Sequence, residues 1–157
     1  MEKTLFIGFK GKNNSSAILV NSLSQQKCLL TNSFSGVKRD IDSLPKEYDE
    51  VYLFGVDKYL TDSFRIELCA EKENVILKSI LDLNEIKEQL KAVGIKSTIS
   101  GNSTHYLCNE AYWYLLKKYH GRVVLIHIPT IKHYIPLSCK IQKEELGKIG
   151  DKIWIKK

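Results

Sequence analysis

Apolar residues recur along this chain in two rhythms. Short unbroken runs mark buried strands, and positions spaced by three and four mark helices. Thr4 to Phe9, with Leu5, Phe6 and Ile7, predicts a first buried strand, followed by a Gly-, Lys- and Asn-rich turn from Lys10 to Asn14. Ser15-Ser16 can cap a helix that carries Ala17, Ile18, Leu19 and Leu23. Lys27 to Leu30 reads as a short strand, and Val37 to Leu44 as a helix that stops before Pro45. Glu50 to Gly55 is a second buried-type strand. Phe64 to Glu71 alternates apolar and polar residues, as a strand with one wetter face does, while Val75 to Leu81 fits either type. Asn84 can cap a helix with Ile86, Leu90 and Val93 on one face and Gly94 as its stop. An Ile95 to Ser100 strand, an Asn109 to His120 helix stopped by Gly121, and an Arg122 to Ile128 strand follow. Gln142 to Ile149 predicts a last helix and Lys152 to Ile155 a short edge strand.

Strands that alternate with helices, several of them apolar throughout, need a sheet covered on both faces. The expected fold class is therefore α/β: a three-layer α/β/α sandwich with a mixed, mostly parallel central sheet. A chain of 157 residues and 18.0 kDa suits one domain over residues 1–157. Hydrophobic residues at 43% and charged ones at 27% are ordinary for a soluble protein. No apolar run reaches membrane length, and the apolar part of Met1 to Phe9 is too short for a signal peptide, so a cytoplasmic location is expected. The net charge of +6 raises nucleic acid as a partner. Basic residues are nevertheless mixed with acids and are not interleaved with aromatics as a stacking surface requires, so none is expected.

The candidate chemistry lies in two places. Cys108 falls where an apolar strand should stop and a helix should start, and His127 ends a second apolar strand. A thiol at a helix N-terminus feels peptide dipoles that favour its thiolate. An imidazole from a neighbouring strand can then pair with it and protonate a leaving amine. The four cysteines show no Cys-x-x-Cys spacing, which argues against a disulfide framework or a structural zinc site. Cys108, His105, His127 and His133 have no ligand spacing either, so no metal or other cofactor is expected.

The residues around these two positions resemble those of the pyroglutamyl peptidases (pyrrolidone carboxyl peptidases). Ile99, Ser100, Tyr106, Leu107, Cys108, Asn109 and Glu110 match that family's cysteine motif position by position, and Ile126-His127-Ile128-Pro129 matches its histidine motif. Ile7-Gly8-Phe9 resembles its opening Thr-Gly-Phe. The resemblance implies a cysteine peptidase that removes an N-terminal 5-oxoproline, with Cys108 as nucleophile and His127 as acid and base. It implies a third catalytic residue, a glutamate, for which Glu67 is the nearest equivalent and Glu71 the alternative. Phe9, Tyr106 and Leu107 would retain part of an apolar pocket for the lactam ring. A peptide or small amide is the expected substrate, and the family's self-association suggests a homo-oligomer.

The departures are local. The family's Gly-Gly-Arg turn is replaced by Asp57-Lys58-Tyr59-Leu60, its Ser-Ala-Gly by Asn102-Ser103-Thr104, and a long excursion after the glutamate is missing. Two other readings therefore stand beside the first: an amidase of altered specificity, and a catalytically inactive binding or regulatory relative.

Overall fold

A computed structural model describes residues 3–23, 25–104 and 106–145, with side chains as far as Ser138. Among the described residues, six strands form one sheet. They are β1 (Thr4–Phe9), β2 (Gln26–Leu30), β3 (Glu50–Val56), β4 (Ser63–Glu67), β7 (Lys96–Ser100) and β8 (Val123–Ile128). Their order across the sheet is β2-β1-β3-β8-β4-β7. A separate antiparallel hairpin joins β5 (Cys69–Lys72) to β6 (Val75–Lys78). The fold is α/β, with a mixed, mostly parallel sheet between two helical layers.

The two faces of the sheet follow the alternation of the strands. Phe6, Tyr52, Phe54, Val124 and Ile126 point to one face, beneath α1 (Ser15–Asn21), α3 (Leu83–Ala92) and α5 (Ile131–Glu145). Leu5, Ile7, Leu53, Val123 and Leu125 point to the other, beneath α2 (Phe34–Asp42) and α4 (Tyr106–Lys118). Each large apolar side chain taken fully out of water there contributes about 1.5–3 kcal/mol.

Two strands at one edge, β4 and β7, run opposite to the other four. β1, β2, β3 and β8 pair in parallel, but β4 is antiparallel to β8 and parallel to β7. The cause is the connection 57–62 between β3 and β4. A return crossover to a parallel neighbour needs about a dozen residues or more. This connection is too short for one, so the chain turns back and β8 later fills the gap between β3 and β4.

Several elements differ from the expected bounds. Asn14 caps α1 by accepting from Ser16 N, so Ser15 and Ser16 lie inside the helix and are buried. Ser33 caps α2, which starts three residues before Val37. Asp82, and not Asn84, caps α3 by accepting from Glu85 N. The predicted Phe64 to Glu71 strand is two strands, β4 and β5, because the chain leaves the main sheet at Leu68. The ambiguous Val75 to Leu81 segment contains β6.

The last helix begins at Ile131, well before Gln142. Pro136 masked it, because a proline inside a helix removes one hydrogen bond and reads as a breaker. The predicted Lys152 to Ile155 strand lies outside the described residues. No helix among the described residues is long and apolar enough to cross a membrane.

Candidate active site

The parallel register of β3 and β8 sets Gly55 beside His127, and the antiparallel register of β4 and β8 sets Arg65 on its other side. Gly55, His127 and Arg65 therefore form one row across the sheet, on the face covered by α4. Glu67 lies one diagonal step further along β4, opposite Leu125, on the same face.

Cys108 comes down on this row from α4. The helix begins at Tyr106, three residues before the expected Asn109, so Cys108 sits inside its first turn. Tyr106 enters with φ of 70°, a left-handed conformation that a bulky residue adopts at a cost of about 1–3 kcal/mol. A Cβ placed on Gly55 would lie 2.6 Å from Cys108 Sγ and 3.4 Å from His127 Cδ2. The thiol and the Cδ2 side of the ring thus both approach the space that a side chain at position 55 would fill.

The opposite edge of the ring meets charge. His127 Nδ1 lies 3.4 Å from Glu67 Oε1 and 3.3 Å from Arg65 Nη2. Arg65 also donates through Nε to Glu67 Oε1, and through Nη2 to Asp57 Oδ2 at 2.7 Å. Glu67 is completely buried and His127 nearly so. Among the described residues, Glu67 Oε2 is buried without a hydrogen-bond partner.

Electrostatics at the cysteine run against the dipole expectation. Burial pushes the Cys108 thiol up to about 11, and the Asp57 and Glu67 carboxylates add to this, while a hydrogen bond from the Val56 backbone opposes it. The favourable field at a helix start is worth a kilocalorie or so, and removing a thiolate from water costs more. Burial also lifts the Asp57 carboxyl, but the Tyr59 backbone N–H and Arg65 pull it further the other way, leaving it below the usual range.

The site opens to solvent through a cleft of about 430 Å³. Cys108 and His127 line it with Tyr106, Leu107, Thr104 and Arg65, and the segment Val56 to Tyr59 forms one wall.

The fold and the sequence point to the same relatives. No family model matches the chain. Human pyroglutamyl-peptidase 1 is 27% identical over 84 residues, a match that spans 52% of this chain and 37% of the human protein. Among solved structures, pyroglutamyl peptidase I of Bacillus amyloliquefaciens superposes with a TM-score of 0.76 at 18% identity, over 98% of this chain and 94% of that one. Pyrrolidone carboxyl peptidase from Thermus thermophilus gives 0.74 at 18% identity, over 92% and 97%. The enzyme from Thermococcus litoralis gives 0.70 at 19% identity, over 95% and 93%.

The chain has the pyrrolidone carboxyl peptidase fold.

Within that fold, the expected site residues fall in different places. Cys108 and His127 line the same cleft beside Gly55, and Glu67 is the acid beside His127. Glu71 is exposed on β5, where its backbone N–H and C=O bond the Asn109 side chain at 3.0 and 2.8 Å. Tyr106 and Leu107 line the cleft, as the resemblance to pyrrolidone carboxyl peptidases implies. Phe9 does not. It is buried in the core with Leu5 and Ile7, and the cleft wall is formed instead by the polar segment Asp57 to Tyr59.

His133 lies on α5 and is not among the residues that line the cleft, and His105 lies outside the described residues. Arg65 was not anticipated. Its sequence signal is present in retrospect: two residues before Glu67 on one strand, it must share that residue's face.

Proposed function

We propose that this chain is a cysteine hydrolase resembling the pyroglutamyl peptidases, which removes N-terminal pyroglutamate from peptides. The observation that carries the reading is the convergence of Cys108 and His127 on the space over Gly55, with Glu67 at Nδ1 of the ring, in this fold.

Cys108 attacks the amide carbonyl while His127 takes the thiol proton at Nε2. A thiol pushed up to about 11 is protonated at neutral pH, so base-assisted attack is required in place of a standing thiolate. His127 then returns the proton to the departing nitrogen, leaving a thioester. Water activated by the same ring releases the acid and restores the thiol. Glu67 accepts from Nδ1–H and steadies the ring, as the third member of a triad does. The first N–H groups of α4 have no partner within the helix and are suited to meet the oxyanion.

Hydrolysis of a fluorogenic pyroglutamyl amide tests this. Wild-type protein is expected to turn it over, and Cys108→Ala and His127→Ala to lose at least about 1000-fold in rate. Activity that survives Cys108→Ala overturns the mechanism.

The polar wall from Asp57 to Tyr59 and the buried Phe9 favour a second reading. In it the same dyad acts on another lactam or small amide. A panel of blocked peptides and simple amides separates the two, and turnover confined to pyroglutamyl compounds rejects the second.

A further inference from the structure

His127 Nδ1 stands between a donor and an acceptor at nearly equal distance: Arg65 Nη2 at 3.3 Å and Glu67 Oε1 at 3.4 Å. A neutral ring can satisfy only one of them. If Nδ1 carries the proton, it donates to Glu67 and faces the guanidinium with a like charge. If Nδ1 is bare, it accepts from Arg65 and turns a lone pair toward the carboxylate. The proton is then on Nε2.

The two tautomers differ in what they do. With the proton on Nδ1, the Nε2 lone pair is free to accept from the thiol. With the proton on Nε2, the ring can only donate toward the sulfur and cannot act as its base. Moving between them transfers one proton from one ring nitrogen to the other by way of solvent, with no net change in charge.

The charged groups around the ring decide which form prevails. Glu67 and Arg65 face it from β4, Asp57 from the connection after β3, and Cys108 from α4, while Lys58 lines the same cleft. Arg65 is held beside Nδ1 by Glu67 and by Asp57 at 2.7 Å, so its release requires those two contacts to loosen. Its Nε also donates to Glu67 Oε1, so Nδ1–H would have to share that oxygen with the guanidinium.

We propose that Arg65 is a positioning residue that holds neutral His127 as the Nε2–H tautomer in the resting protein, so that the Cys108–His127 pair becomes competent for turnover only once a bound substrate draws the guanidinium off Nδ1. This rests on the assignment of Cys108 and His127 as the working pair, but its test does not need turnover.

The imidazole tautomer is read directly from two-bond ¹H–¹⁵N correlations on ¹⁵N-labelled protein, above the pH at which the ring is charged, with His127→Gln to assign the signal. Wild type is expected to show the proton on Nε2 and to react slowly with iodoacetamide at neutral pH. A proton on Nδ1 in the wild type overturns the proposal, and no variant needs to fold for that result.

Arg65→Met removes both the charge and the donor. It should move the proton to Nδ1 and speed alkylation of Cys108 at neutral pH by about tenfold or more, the effect of one unit in thiolate availability. An unchanged alkylation rate in folded Arg65→Met also overturns it. Arg65→Lys retains the cation and is expected to remain slow; if it matches Arg65→Met, a charge-held tautomer is excluded. Pyroglutamyl amide hydrolysis by a wild type with Nδ1–H sinks this proposal and leaves the peptidase reading standing. An Nε2–H ring without any hydrolysis does the reverse.

Discussion

Gly55 decides whether the sulfur and the ring can meet. Any side chain there would collide with Cys108 Sγ, which lies 2.6 Å from the position of the missing Cβ. Gly55→Ala must therefore push the Cys108 side chain away from His127. Overpacking of this kind costs about 1–3 kcal/mol in stability. A displacement of about an ångström in a catalytic group costs on the order of 100-fold in rate. The expected result is a protein that still folds, with a melting temperature a few degrees lower and kcat/KM reduced about 100-fold. Steady-state kinetics and thermal melts check both halves, and unimpaired turnover would show that the thiol does not act from this position.

The elements bring these residues together through two devices. The short connection 57–62 reverses β4, which carries Arg65 and Glu67 to the side of β8. Asn109, in the first turn of α4, holds β5 by bonding both backbone groups of Glu71, at 3.0 and 2.8 Å. Lys72 adds an ion pair to Glu110 at 3.0 Å. The hairpin of β5 and β6 is thereby fastened to the helix that carries the cysteine. Net hydrogen bonds of this type contribute about 0.5–1.5 kcal/mol each. Asn109→Ala is expected to lower stability by about 1–2 kcal/mol in urea titration and to raise amide exchange in β5 and β6. If exchange in the hairpin is unaltered, Asn109 does not anchor it.

For the whole molecule, the cleft ties acid stability to the candidate site. Asp57 titrates below the usual carboxylate range, so its contribution is complete above the unfolded value of about 3.9 and is lost as pH falls through the folded value. Asp40 behaves likewise through the Thr31 backbone N–H that it accepts. The urea midpoint should hold from neutrality to about pH 4 and then fall, and Asp57→Asn should fall less steeply below that point. An identical acid limb in the variant would remove Asp57 from the account.

The α/β layering was legible because β1, β3 and β8 are apolar along their length and helices intervene. Cys108 and His127 were legible because both stand at element ends. Glu67 could be placed through the family resemblance, though Glu71 remained an alternative until the break at Leu68 separated β4 from β5. Arg65 was not legible in the same way: its role depends on the reversal of β4, a matter of connection length and sheet order. The α5 start was hidden by Pro136, and Phe9, the last residue of β1, is packed into the core instead of the cleft.

The reversed strand also makes the candidate site sensitive to reading frame at the level of structure. Alternate residues of β4 serve opposite layers: Phe64 and Ile66 belong to the apolar layer with Phe6 and Tyr52, Arg65 and Glu67 to the layer of the thiol. A one-residue slip along β4 would exchange the two sets. It would bury a guanidinium and a carboxyl among hydrocarbon and present phenylalanine and isoleucine to the imidazole, without altering the composition of the strand. Loss or gain of a residue in the connection 57–62 can be taken up before the strand begins; inside β4 there is no such slack.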